Sequence, residues 1–79
     1  MDDITFKTEI GKRLKALRTE QDLSVRQLAQ RMDDRKEKIY SWEEGRSIFS
    51  LHTAVKLVHI LDCSLDDLIP DYYKGDAVL

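Results

Sequence analysis

The sequence predicts an all-α domain, a compact bundle of five short helices. Three observations carry that expectation. Apolar residues recur at three- and four-residue spacing through most of the chain: Ile10, Leu14 and Leu17, then Val25, Leu28, Ala29 and Met32, then Ala54, Val55, Val58 and Leu61. That is the period of helices with one buried face. Residues that favour helix starts, Ser24, Asp34, Ser50 and Ser64, stand just ahead of helix-length runs. One proline and three glycines are spread over 79 residues, and both residue types are poor inside helices.

A first helix is expected over about 6–21, with Phe6, Ile10, Leu14 and Leu17 inward and Met1 to Thr5 frayed. Gly11 costs this helix about 1 kcal/mol relative to Ala, which points to a close helix contact there. Asp22 suits the left-handed position that ends the helix, and Leu23 packs the corner. Ser24 with Gln27 forms a capping box that opens the second helix. Asp33 and Asp34 then break the apolar period, as a sharp turn requires. Asp34 with Glu37 reads as a second cap, opening a helix through Glu44 that Gly45 ends with a positive φ. Two helices across so short a turn make a helix-turn-helix. Ser50 caps a fourth helix to about Asp62, with Leu51, Ala54, Val55, Val58 and Leu61 on one face. Ser64 caps a short fifth helix, Leu65 to Ile69, before Pro70. The expected core is Leu14, Leu17, Leu28, Ala29, Ile39, Trp42, Leu51, Val55, Val58, Leu61 and Leu68. The chain reads as one domain over 1–79, its core at about 6–70 and its tail at 71–79.

Charge is uneven. Residues 1–46 hold 11 Lys/Arg against 10 Asp/Glu, while residues 47–79 hold 2 against 5, giving the net −2. Lys7, Lys12, Arg13, Lys15 and Arg18 cluster with only Glu9 among them, enough for a local positive face despite the negative total. No run approaches the roughly 20 apolar residues of a membrane span. The start, MDDITFK, lacks the apolar core of a secretory signal, so a cytoplasmic location with no membrane partner is expected. The single Cys63 has no internal disulfide partner, lacks basic neighbours in sequence, and is expected in or near the core. His52 and His59 are seven residues apart, roughly 10 Å along a helix, with no third ligand at suitable spacing. Metal, cofactor and catalytic residues are therefore expected to be none, and the protein is expected not to be an enzyme.

Three fragments, in this order, carry a resemblance: R-L-K-A-L-R at 13–18, LAQRM-DDR-KEKIYSWEEGR at 28–46, and S-L-D-D-L at 64–68. Together they resemble the helix-turn-helix proteins of the phage repressor and Cro type, the xenobiotic-response-element-like regulators, over about Ile10 to Leu68. The resemblance implies a lambda-repressor-like fold and a sequence-specific, repressor- or Cro-like regulator that binds a double-stranded DNA operator as a weak homodimer. In this fold the second motif helix enters the major groove. The resemblance puts Arg35, Lys36, Glu37 and Lys38 at its groove-facing start and Ser41 one turn on. It gives Glu43 a packing role.

Helical geometry sets Ile39 and Trp42 inward and Lys36, Glu37, Tyr40, Ser41 and Glu44 outward. Lys or Arg can bond guanine, and Glu37 can accept from cytosine. Arg46, with Arg26 and Arg13, is expected on phosphate. The tail residues Tyr72, Tyr73, Val78 and Leu79 are expected to aid a weak dimer or to pack back on the domain. A second function competes: a modulator or antirepressor that uses the same fold to bind a repressor protein. It draws on the net −2 charge, on Asp33, Asp34 and Glu37, and on Val25 standing where the family often has Gln.

Overall fold

The computed structural model describes residues 2–71. It has four α-helices, α1 (Asp3–Glu20), α2 (Val25–Met32), α3 (Lys36–Glu43) and α4 (Leu51–Ile60), then one 3-10 turn at Leu65–Leu68. No strand occurs among the described residues. Tyr72, Tyr73, Val78 and Leu79 lie outside them, and so does the role expected of those residues.

Local chemistry sets most boundaries. α1 begins at Asp3 rather than Phe6, because the Asp2 carboxylate accepts the Thr5 amide at 2.8 Å and caps a stretch expected to fray. Both halves of the Ser24–Gln27 box form, at 2.8 and 3.0 Å, and start α2. Ser50 accepts the Thr53 amide and starts α4. The cap expected between Asp34 and Glu37 does not form. Asp34 instead accepts the amide of its neighbour Arg35 at 2.8 Å, and α3 starts one residue later with no side-chain cap. The last element is a four-residue 3-10 turn rather than an α-helix, opening at Ser64 and ending at Leu68, before Pro70.

Three helices end on an aspartate in the left-handed region, Asp22, Asp33 and Asp62, with φ between 54° and 56°. In each case the next amide reaches back five residues: Leu23 to Arg18, Asp34 to Ala29, and Cys63 to Val58. This is the helix-ending pattern usually built on Gly, and Asp tolerates it because its short side chain fits left-handed backbone.

The core gathers Leu14 from α1, Leu23 from the corner, Val25, Leu28, Ala29 and Met32 from α2, Ile39 and Trp42 from α3, and Ala54, Leu57, Val58 and Leu61 from α4 and its end, closed by Leu68. Leu17 packs at its edge, half-buried. Trp42 meets Phe49 edge-to-face at 5.4 Å. Two expected core residues are corrected. Leu51 is 73% exposed and Val55 50%, while Leu57, absent from the expected core, is fully buried. Ala54, Leu57, Val58 and Leu61 follow an i, i+3, i+4, i+7 stripe as well as the expected set does. α4 turns that stripe towards α2 and the 3-10 turn, leaving Leu51 and Val55 on the other side.

Gly11 marks the closest helix approach. A β-carbon there would stand 2.6 Å from the Glu43 carbonyl oxygen of α3, so no other residue fits without moving the backbone.

Urea denaturation should separate the two leucines. Leu28→Ala should cost about 2–5 kcal/mol, the range for emptying a buried leucine site. Leu51→Ala should stay within about 0.5 kcal/mol, as surface substitutions do.

Candidate nucleic-acid interface

The motif is held from behind by one charged residue. Arg18 of α1 is 8% exposed. Its Nε donates to Glu43 Oε2 at 2.7 Å, its Nη2 to Glu43 Oε1 at 3.0 Å, and its Nη1 to the Leu23 carbonyl at 2.7 Å. One guanidinium thus ties α1 to the corner before α2 and to the last residue of α3. The hydrogen bonds it donates to the Glu43 carboxylate hold the Arg18 pKa above its ordinary value. Arg18 therefore leaves the basic cluster expected on the surface. The signal for this was in the sequence: Gly11, Leu14 and Arg18 share an i, i+3, i+7 stripe, so an arginine there needs a buried acid. Glu43 has the packing and hydrogen-bonding role expected of it.

Buried Ile39 and Trp42 root α3, and the opposite side of that helix faces solvent. Arg35, Lys36, Glu37, Lys38, Tyr40 and Glu44 are all exposed, and Ser41 is half-buried. Lys38 Nζ lies 3.3 Å from Asp34, so this lysine is partly engaged within the motif. That pairing and the Arg35 amide hold the Asp34 carboxyl below its ordinary pKa, the amide being the larger cause. Ser41 shares a 2.7 Å hydroxyl bond with Ser47, which pins the loop after α3 to the helix. Exposed Arg46 in that loop pairs with Glu44 at 3.1 Å. Arg26 is exposed in the first turn of α2.

Arg13 is half-buried on α1 rather than exposed. It lies two residues past Gly11, about 200° round α1 from the side that meets α3, and it pairs with Asp71 at 3.2 Å. Lys56, which the sequence did not single out, donates from α4 to the Met32 carbonyl at 3.0 Å and secures the end of α2 just before the turn.

His52 and His59 are exposed. No group of three or more His, Cys, Asp or Glu residues among the described residues could hold a metal ion, and no described helix is long and apolar enough to cross a membrane. Cys63 is half-buried at the rim of the core. Burial first, then the charges of Asp67, Asp62 and Glu20, push its thiol pKa up.

Fold and surface together define a helix-turn-helix domain with its second helix presented to solvent. The chain belongs to the helix-turn-helix family HTH_3, the Cro/C1 type, whose model matches residues 14–68. Two solved structures are 30% identical to it. One is the restriction-modification controller protein C.AhdI from Aeromonas hydrophila, with a TM-score of 0.75 over 80% of this chain and 96% of that one. The other is an HTH_3 family transcriptional regulator from Vibrio cholerae, with a TM-score of 0.77 over 85% of this chain and 38% of that one. The BldD DNA-binding domain of S. venezulae, 22% identical with a TM-score of 0.75 over 84% of this chain and 99% of that one, shares the fold. No curated protein matches by sequence.

Two measurements test the site's foundations. Arg18→Met leaves Glu43 buried and unpaired and should cost about 3–5 kcal/mol in chemical denaturation. The double variant R18M/E43L should recover part of that loss, though not the bond to the Leu23 carbonyl. Cys63, its thiol raised above the ordinary 9.0, holds less thiolate at pH 8 than a free cysteine. Iodoacetamide should therefore alkylate it more slowly than it alkylates an unfolded sample of the same protein.

Proposed function

We propose that this protein is a sequence-specific, DNA-binding transcriptional regulator, repressor- or Cro-like, that inserts α3 into the major groove of an operator. The observation that carries the reading is the two-sidedness of α3: Ile39 and Trp42 fix one side in the core, and Lys36, Glu37 and Tyr40 stand free on the other. Such a helix presents side chains to base edges from a rigid base. Lys36 is assigned to a guanine edge and Glu37 to a cytosine amino group. Arg35 and Lys38 flank the start of the helix. Lys38 gives up its contact with Asp34 when it meets DNA. Tyr40 and Ser41 line the second turn. Arg46 and Arg26 are assigned to phosphates. Arg13, tied to Asp71 on the far side of α1, has no part. The relatives named as a controller protein and a transcriptional regulator support this class of function.

A second reading keeps the fold and changes the partner: a modulator that binds a repressor protein. Exposed Asp33, Glu37 and Glu44 around the same helix favour it, because negative charge there repels phosphate and suits a DNA-reading surface.

Titration with the DNA upstream of the protein's own coding region, at several salt concentrations, tells the two apart. DNA binding should weaken linearly with log salt, with a slope near −0.9 per phosphate contact. Lys36→Ala should cost about 1–3 kcal/mol on the specific site, and Arg46→Ala should weaken all DNA alike and lower the slope by about one. No preference over random duplex at about 50 mM salt removes the operator reading. A complex with a repressor protein, weakened by salt and broken by D33K or E37K, then establishes the other.

A further inference from the structure

The stretch from Asp33 to Arg46 carries no net charge once the Glu43 clamp to Arg18 is set aside. Its cations are Arg35, Lys36, Lys38 and Arg46, and its remaining acids are Asp33, Asp34, Glu37 and Glu44. A neutral surface is an unexpected one to offer to a polyanion. Two of the cations are moreover already engaged. Lys38 Nζ lies 3.3 Å from each carboxylate oxygen of Asp34, and Arg46 Nη2 lies 3.1 Å from Glu44 Oε1. Arg35 and Lys36 are exposed and take no part in these pairs. In the first pair the acid is the fixed member. Asp34 Oδ1 accepts the Arg35 amide at 2.8 Å, and the charge of Lys56 on α4 also bears on this carboxylate. Lys38 is a charge on a flexible stem and can swing away while Asp34 stays in place.

We propose that Asp34 and Glu44 set the affinity of this protein for DNA, each competing with phosphate for one cation, Asp34 for Lys38 and Glu44 for Arg46. The inference rests on the operator reading for its ligand. Exposed ion pairs are weak, so a phosphate can displace either carboxylate. The displaced acid is then left unpaired beside a polyanion and repels it. Lys38 and Arg46 therefore reach phosphate at a cost that Arg35 and Lys36 do not carry. That cost falls on the electrostatic part of binding, which supplies nearly all the affinity for DNA of arbitrary sequence. The two acids thus keep the protein from being held by random duplex, and leave recognition to the open side chains Lys36, Glu37 and Tyr40. The pairs lie at opposite ends of α3, ten residues apart in sequence between Asp34 and Glu44, or about 15 Å along a helix, so they act independently.

Fluorescence anisotropy with a labelled random duplex, and separately with the DNA upstream of the coding region, tests the competition in the full chain. Asp34→Asn removes the charge but keeps an oxygen for the Arg35 amide, and Glu44→Gln is equally conservative, so circular dichroism melts should stay close to wild type. Each should raise affinity for the random duplex about two- to fivefold at about 50 mM salt. The double variant D34N/E44Q should gain about tenfold, the product of two independent sites. The gain should shrink as salt rises and screens the charges. A double-mutant cycle separates competition from plain repulsion. In a Lys38→Ala background D34N should lose most of its gain, and in an Arg46→Ala background E44Q should do the same, because no cation is left to release. Unchanged affinity in D34N and E44Q overturns the proposal. So do gains that are equal with and without the partner cation, or a wild type and a double variant that both fail to bind any duplex. The operator reading is judged on a different comparison. Gains that follow the cycle on random and upstream DNA alike, with no wild-type preference for the upstream DNA, defeat that reading and leave the competition standing. A wild-type preference for upstream DNA without any gain in the variants does the reverse.

Discussion

The three-way contact of Arg18 with Glu43 and the Leu23 carbonyl is the constraint on which the rest of the domain depends. It joins α1 and the corner five residues on to the end of α3, 25 residues away, through one rigid fork, and the planar guanidinium fixes their angles as well as their distances. α1 runs past the end of α3 so closely that Gly11 has room for no β-carbon. A lysine in place of Arg18 could neutralise Glu43, but it lacks the fork that holds the carboxylate and the carbonyl at once. The clamp contributes to the shape of the motif more than to net stability, since a buried ion pair roughly offsets its own desolvation.

From that anchor the chemistry of the exposed helix follows. α3 is eight residues long, too short to be stable alone. It keeps its shape because Ile39, Trp42 and Glu43 are fixed from below, and its polar side is left free to vary. The outward face mixes Lys36 and Arg35 with Glu37 and Glu44, so its binding is tuned by pairing rather than by a uniform positive field. Lys38 with Asp34, and Arg46 with Glu44, are exposed pairs of small energy. They position the cations without removing them from reach of a polyanion.

The sequence by itself determined the helical class, the caps at Ser24 and Ser50, and the identity of the motif. These rest on interactions within four or five residues. Ser24 and Gln27 close their box locally, Asp22 and Asp33 bend the chain locally, and Val25, Leu28, Ala29 and Met32 share a face at any orientation of α2. The burial of Ile39 and Trp42 was legible for the same reason, because α3 offers only one apolar side. Among the candidate site residues, the exposed set on α3 was legible from the same period.

Only the tertiary structure decided which of two equally helical stripes of α4 is buried. Leu51, Ala54, Val55 and Val58 fit the period as well as Ala54, Leu57, Val58 and Leu61 do, and the direction of the neighbours breaks the tie. It also removed Arg18 from the surface and paired Arg13 with Asp71, since the facing acids, Glu43 and Asp71, lie 25 and 58 residues further along the chain. It ended the expected cap at Asp34 by offering that carboxylate the Arg35 amide and the Lys38 ammonium instead. In each case the periodicity is a property of one helix, and the outcome is a property of what that helix packs against.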